Sequence, residues 1–225
     1  LIIAVLKIVI GTAVPIVVSL LLNECRNVAA KRTIQTMIYF PYFISWIILS
    51  GVLVDILSPT DGLVNDLVKA FGGEPIYFLG DNKYFQGTLV VSDVWRNFGY
   101  NSVVYLAAIT GIDMTLYEAA SIDGANRWQQ AWHVTLPGMS TIVILMVILN
   151  LGNLLNAGFD QVFNLYSPAV YETGDIIDTM VYRMGLEQAK FGPSTAVGLL
   201  KSVVSFLLIS TAYLIAYKKF DYKVF

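Results

Sequence analysis

The sequence predicts an all-α, polytopic membrane protein, and three observations set that class. Of its residues 56% are hydrophobic and 13% charged, with a mean hydropathy of +0.67, well above an ordinary soluble domain. About 20 mostly apolar residues cross a hydrocarbon core, and roughly five stretches reach that length. The charges gather between those stretches rather than inside them. No repeat, low-complexity segment or second soluble domain interrupts the pattern, so residues 1–225 read as a single transmembrane domain.

The first span, residues 1–22, begins without a methionine or basic leader and carries Pro15. A cleaved signal peptide therefore explains it poorly, and an upstream span is expected. The others cover residues 34–57, 85–109, 139–159 and 195–217. Lysine and arginine collect in short cytoplasmic loops. Arg26, Lys31 and Arg32 outweigh Glu24 in loop 23–33, and Lys218, Lys219 and Lys223 outweigh Asp221 in the tail. Both are expected to be cytoplasmic. Loops 58–84 and 160–194 are net acidic and are expected outside. Alternation then puts the connection 110–138 in the cytoplasm and the start of the chain outside.

The outer loops have structure of their own. Asp61-Gly62 precedes Leu63, Val64, Leu67, Val68 and Phe71 at helical spacing, ended by Gly72-Gly73, which predicts a short interfacial helix. Ile176, Ile177, Met180, Val181 and Met184 repeat the rhythm before a break at Phe191-Gly192-Pro193. Such helices either shield the mouth of a cavity or anchor the chain at the interface.

Polar groups inside spans must be paired or face water. In the third span Asp93, Arg96, Asn97, Tyr100 and Asn101 fall mostly on one helical face, with Asp93 and Arg96 close enough to pair. The fourth offers Asn150, Asn153 and Asn156, with Gly152 and Gly158 nearby for close packing, and the second offers Tyr39, Tyr42, Ser45 and Trp46. Taken singly, these groups serve equally as glue between helices. As a constellation, aromatic faces beside amides and hydroxyls equip a cavity for a neutral, hydroxyl-rich ligand such as a sugar. Lys7 and Lys201 lie near enough to the outer ends of their spans to snorkel, and no function is assigned to them.

The connection between the third and fourth spans holds the most informative stretch, Glu118 to Pro137. Glu118, Ala119, Ala120, Ile122 and Asp123 read as a helical turn that breaks at Gly124. Asn126 opens a second helix in which Trp128, Ala131, Trp132 and Thr135 recur at helical spacing, before Leu136-Pro137 stops it. Two short helices at an angle, bearing small residues, would let another backbone come close.

Several chemistries are excluded. One cysteine, Cys25, and one histidine, His133, leave no disulfide framework or multi-ligand metal site within the chain. His133 has no partner motif and reads as an ordinary polar-face residue. A net charge of −2 gives no basic surface for nucleic acid. Nucleotide-binding and serine-nucleophile motifs are missing, so no catalytic residue is assigned and the chain cannot by itself hydrolyse a nucleotide.

Glu118-Ala119-Ala120, Asp123-Gly124-Ala125 and Leu136-Pro137 together resemble the EAA motif of permease subunits in binding-protein-dependent ABC importers of the type I fold. Outside the motif, the runs from Gln35 to Pro41, Tyr105 to Ile109 and Gly158 to Leu165 resemble the branch that imports oligosaccharides and polysaccharide fragments, similar to maltose-type permeases. The likeness covers nearly the whole chain and departs at the front, where the family's first span is missing.

The resemblance implies a transmembrane subunit with two coupling helices seated in a groove on a cytoplasmic ATPase. Glu118, Ala119, Ala120, Asp123, Gly124 and Ala125 would make that contact, with ATP and Mg bound on the partner rather than on this chain. It implies two ATPase subunits, a second permease completing a heterodimer, and an extracytoplasmic solute-binding protein. The location implied is the bacterial inner membrane, multi-pass, with a cytoplasmic C-terminus. By position, the substrate pathway falls to Tyr42, Trp46, Asp93, Arg96, Asn97, Tyr100, Asn153 and Asn156. An Asp93 and Arg96 pair inside a cavity would also suit a charged sugar such as a uronate, although Asp93 alone could neutralise Arg96.

Two classes rival this expectation. An ion-coupled secondary transporter or channel would use the polar spans but has no need of a two-helix dock. An intramembrane enzyme would have only Asp55 or Asp93 as an acid within a span. A type I importer for another solute, such as a peptide or amino acid, is the nearest alternative.

Overall fold

The computed structural model describes residues 1–220, with Ala216, Lys219 and Phe220 described by backbone alone. Asp221 and Lys223, part of the charge argument for the tail, lie outside the described residues. Every regular element among the described residues is a helix. In order these are α1 (Ile2–Glu24), α2 (Val28–Tyr39) running into a tighter turn Phe40–Phe43, α3 (Trp46–Ile56), α4 (Leu63–Ala70) and α5 (Asn82–Thr110). Then come α6 (Met114–Ile122), α7 (Arg127–Gly138), α8 (Ser140–Gly152), α9 (Phe159–Leu165), the short turns Pro168–Val170 and Tyr171–Gly174, α10 (Ile177–Tyr182) running into a wide turn Arg183–Glu187, and α11 (Phe191–Phe220). Two helices are long and apolar enough to cross a membrane alone, and the number rises to 5 if three broken pairs each count as one span.

The breaks have chemical causes. The stretch expected as one span over 34–57 is broken after Phe43. Pro41 has no amide proton to continue the ladder, and the Ser45 hydroxyl accepts from the Ile48 amide at 3.4 Å to start α3 afresh. The stretch expected over 139–159 stays helical only to Gly152. Asn153 to Asn156 form a turn, and Ala157 (φ 41°) and Gly158 (φ 88°) take left-handed conformations before α9. Phe191-Gly192-Pro193, expected as a break, is the first turn of α11, where a proline is tolerated because the early amides have no helical acceptor. Leu136-Pro137, expected as a stop, lies inside α7, which ends at Gly138. The helix turns there by 58° into α8.

The chain divides into two compact units. The first comprises Leu1–Lys7, Phe43–Val94 and Asn153–Phe206. Its core gathers Ile3, Phe85, Leu89, Val162, Leu165, Val170 and Ile176. In lipid such contacts stabilise by packing rather than by escape from water, so fit matters more than area. Gly174 shows the tightness, since a Cβ there would sit 2.2 Å from the Phe85 ring. The helix expected after Asp61-Gly62 is present as α4. It closes with Gly72 at φ 80° and a Gly73 amide reaching back to the Val68 carbonyl at 2.9 Å. Its fully buried Asn65 donates to the carbonyls of Ser58 (2.9 Å) and Ile76 (3.0 Å) and accepts from the Ile76 amide at 2.7 Å, so one side chain shapes the loop.

A buried polar cluster of this unit centres on Lys7. Its ammonium donates to the Ala157 carbonyl at 2.8 Å and to the Gln161 side chain, and lies 3.4 Å from Asp93. Gln161, fully buried, donates in turn to the Leu89 carbonyl and the Ser92 hydroxyl, both at 2.8 Å. Lys7 was expected to snorkel outward; it is 9% exposed and bound inward, because the opposite charge and two oxygens replace the water it gives up.

The second unit comprises Ile8–Tyr42, Trp95–Gly152 and Leu207–Phe225, of which residues to 220 are described. Tyr105, Ile109 and Met139 form its core, with Ile16, Leu20, Leu136 and Met146 around them. Gly152 packs as expected from its size: a Cβ there would meet Ile209 at 2.8 Å.

Substituting one member of the Lys7 pair leaves a buried charge behind. Lys7→Met should lower the unfolding free energy of the detergent-solubilised protein by about 3 kcal/mol, and adding Asp93→Asn should restore much of the loss. Thermal unfolding of both variants checks this, and equal losses in the single and double variants would contradict it.

Candidate functional site

The stretch from Glu118 to Pro137 folds as two helices joined by a defined corner. Asp113 caps α6 by accepting from the Thr115 amide at 2.9 Å, which holds its carboxyl below the usual carboxylate range. At the other end Gly124 takes φ 81°. The Ala125 amide reaches back to the Ala120 carbonyl at 2.9 Å and the Gly124 amide to the Ser121 carbonyl at 3.1 Å, the paired bonds of a Schellman closure. Asn126 then starts α7 with a reciprocal cap: its side chain accepts from the Gln129 backbone amide (2.9 Å) while the Gln129 side chain accepts from the Asn126 backbone amide (2.8 Å). Four residues, Asp123 to Asn126, separate the two helices, and the backbone amide of each is bonded, that of Asp123 to the Ala119 carbonyl at 3.0 Å.

Further bonds hold the pair at its angle. Gln130 donates to the Ser121 hydroxyl at 2.9 Å and to the Ala125 carbonyl at 3.1 Å, and the Tyr117 and Thr135 hydroxyls bond at 2.9 Å. Arg127 donates to Glu24 at 2.6 Å, which ties α7 to the end of α1. Residues 131–135 of α7 form a wide π turn. His133, as expected of a polar-face residue, is exposed, and its Nδ1 meets the Gln129 carbonyl at 3.0 Å.

The outward face is set for a partner. Ile122 is 87% and Trp128 70% exposed, with Trp132 packed edge-on against Trp128 at 6.3 Å. Glu118, Ala119, Asp123 and Gly124 are exposed, and Ala120, Asp123, Gly124, Ala125 and Gln129 border a cavity of about 310 Å³. Large apolar groups beside small ones and a shallow hollow suit protein contact better than a small ligand.

Of the residues assigned to a substrate pathway, Tyr42, Arg96, Asn97 and Tyr100 lie in the second unit and meet. The Tyr42 and Tyr100 rings stack at 3.9 Å and 5°, the Arg96 guanidinium lies 5.4 Å from the Tyr42 ring centre, and Arg96 donates to Asn97 at 3.1 Å. Trp46, Asp93, Asn153 and Asn156 lie in the first unit. Asp93, expected beside Arg96, has Lys7 as its ion-pair partner. Asn153 and Asn156, expected within the fourth span, sit in the turn after α8 and bond to each other at 3.0 Å. Asn156 also lines a cavity of about 580 Å³ with Phe159, Asp178, Tyr182 and Lys201.

The sequence did not announce Gly99, on which the aromatic stack depends. A Cβ there would fall 1.9 Å from the Ile38 carbonyl oxygen, so only glycine lets the end of α2 lie on α5 and bring Tyr42 onto Tyr100. Its place between Phe98 and Tyr100, in a helix otherwise rich in large side chains, was the available signal. Gln161 gave no signal apart from being an amide in an apolar run, and Lys201 only that of a charge inside a span.

Over residues 8–223 the chain matches the family described as binding-protein-dependent transport system inner membrane component. It is 42% identical over 215 residues to the polygalacturonan/rhamnogalacturonan transport system permease protein YteP of Bacillus subtilis, a match spanning 96% of this chain and 67% of that relative. LplB of the same organism is also 42% identical, over 92% of this chain and 65% of its own length. The chain thus spans about two-thirds of the length of these relatives. A bacterial ABC transporter that imports the acidic polysaccharide alginate superposes with a TM-score of 0.93 at 35% identity, over 96% of this chain and 76% of the matched one. A helical membrane chain that carries this corner and matches the family model over nearly its whole length belongs to the inner membrane components of binding-protein-dependent transport systems.

Proposed function

We propose that the chain is a transmembrane subunit of an ABC importer that carries an oligosaccharide or polysaccharide fragment inward, powered by ATP hydrolysis on separate subunits. The observation that carries this is the corner at Gly124: a two-helix dock with an exposed face, in a chain holding no nucleotide-binding motif of its own. Glu118, Ala119, Ala120, Asp123, Gly124 and Ala125 receive the motion of two ATPase subunits, which bind ATP and Mg. A second permease, forming a heterodimer, and an extracytoplasmic binding protein complete the assembly. The alginate importer supports the last partner, having been crystallised in complex with an alginate pentasaccharide-bound periplasmic protein.

Substrate passes Tyr42, Trp46, Asp93, Arg96, Asn97, Tyr100, Asn153 and Asn156. Stacked tyrosines offer flat apolar faces to sugar rings, and a guanidinium beside them can meet a carboxylate. An acidic sugar chain fits this equipment and the substrates named for the relatives. The whole chain acts as one transmembrane domain of the inner membrane, with loop 23–33, the connection 110–138 and the C-terminus on the cytoplasmic side.

Gly124→Val places a β-branched residue in a left-handed conformation, a strain of about 1–2 kcal/mol, and puts bulk at the dock. Sugar uptake should be lost while the variant still reaches the membrane at normal abundance; normal uptake would sink the coupling role. Topology has its own reporter in Cys25, which lies between α1 and α2 with its thiol directed to the Asn27 carbonyl at 3.6 Å. A membrane-impermeant maleimide should label it in inverted vesicles and leave it unlabelled in right-side-out vesicles. The opposite pattern would reverse the orientation.

A further inference from the structure

Two lysines of the first unit, Lys7 and Lys201, lie within the long apolar helices α1 and α11, and their surroundings differ in a way that assigns one of them a task. An ammonium has three donors to satisfy. Lys7 spends them on Asp93, the Ala157 carbonyl and Gln161, a closed set that leaves it no role beyond structure. Among the described residues Lys201 has one polar partner, Asp178, and its side chain is 16% exposed. Lys201 and Asp178 both line a cavity of about 580 Å³, together with Asn156, Phe159, Tyr182 and Thr195.

The walls of this cavity are built. The Phe159 and Tyr182 rings stand 5.8 Å apart at 46°, and Phe163 buttresses Tyr182 from 4.7 Å. Ser194, also in the lining, spends its hydroxyl on the Val181 carbonyl at 3.0 Å and so joins α10 to α11. A volume of this order falls within the range of small-molecule sites, about 300–1,000 Å³. Aromatic faces suit the C–H surface of a sugar ring. Among the described lining residues Asp178 is the one carboxylate and Lys201 the one cation, so the charged donors left over at that end are those of the ammonium. An acceptor-rich, anionic group satisfies it best.

We propose that this cavity is a subsite for a carboxylated sugar unit, in which Lys201 binds the carboxylate and Asp178 holds the ammonium in place between turnovers. The proposal rests on the importer function given above and names a specificity determinant for it. A purely structural Lys201–Asp178 tie would be damaged alike from either side. A subsite would not, because removing Asp178 removes a competitor for the same ammonium.

The test uses the assembled transporter in lipid nanodiscs, with trigalacturonate and its carboxyl-reduced, neutral counterpart as probes. Lys201→Gln should weaken binding of the acidic probe about tenfold, the value of one charge-assisted hydrogen bond, and leave the neutral probe unchanged. Asp178→Asn should bind the acidic probe as well as or better than the parent. Equal losses in both variants with both probes, or no loss for Lys201→Gln, would overturn the subsite. Uptake in proteoliposomes supplied with the cognate binding protein separates the two levels of failure. Import of the acidic probe by the parent, with Lys201→Gln unaffected, overturns the subsite alone, whereas no import by the parent overturns the importer function with it.

Discussion

A charged group in hydrocarbon must bring its own counterpart, and the first unit is assembled around one that does. The Lys7 ammonium draws Asp93 from α5, the carbonyl of left-handed Ala157 and the amide of Gln161 to a single point. Each of those groups is unfavourable alone in an apolar medium and tolerable only in the presence of the others. The irregular backbone after α8 follows from the same requirement. A continuous helix would keep the Ala157 carbonyl in its own ladder, whereas the left-handed step turns it toward Lys7. The break in the chain and the buried charge are therefore one feature seen from two sides.

What could be read from the sequence was whatever acts over short range. The helix after Gly62, the end of α6 at Gly124 and the start of α7 at Asn126 each depend on a few neighbouring residues whose preferences are strong. The helices were legible as apolar runs; their interruptions were not. Leu136-Pro137 was expected to stop a helix that ends one residue later at Gly138, and Phe191-Gly192-Pro193 to break one it in fact begins. Proline is permitted in a first turn, and a wide turn can precede it in a longer helix, and periodicity reports neither. The candidate site was legible in part. Tyr42, Arg96, Asn97 and Tyr100 meet, but Asp93 turned to Lys7, 86 residues away in the chain by their numbers. Helical spacing detects partners one turn apart and is blind to such pairs.

Each unit fixes side chains by two means. Hydrogen bonds close over polar atoms, as Asn65 does for the α4 loop and Gln130 for the corner of α6 and α7. Other contacts are steric: Gly174 against the Phe85 ring in the first unit, Gly99 against the Ile38 carbonyl and Gly152 against Ile209 in the second. Hydrogen bonds tolerate small displacements, since lengths of a few tenths of an ångström either way remain bonded. Backbone-to-backbone contact does not, so the aromatic stack of Tyr42 on Tyr100 inherits a rigid seat.

The wide turn at residues 131–135 has one more implication. Each residue advances an ordinary helix by about 100°, so one residue more would rotate everything beyond it unless a widened turn takes it up. Trp128 lies before that point, and Met139 and Ile142, facing the core, lie after it. The azimuth of Trp128 relative to the residues beyond the turn is thus kept by widening one turn rather than by a hinge. Removing one residue there would rewind the turn to ordinary pitch and leave the two flanks in the same phase, with the contacts of the corner and of the core both still available to form.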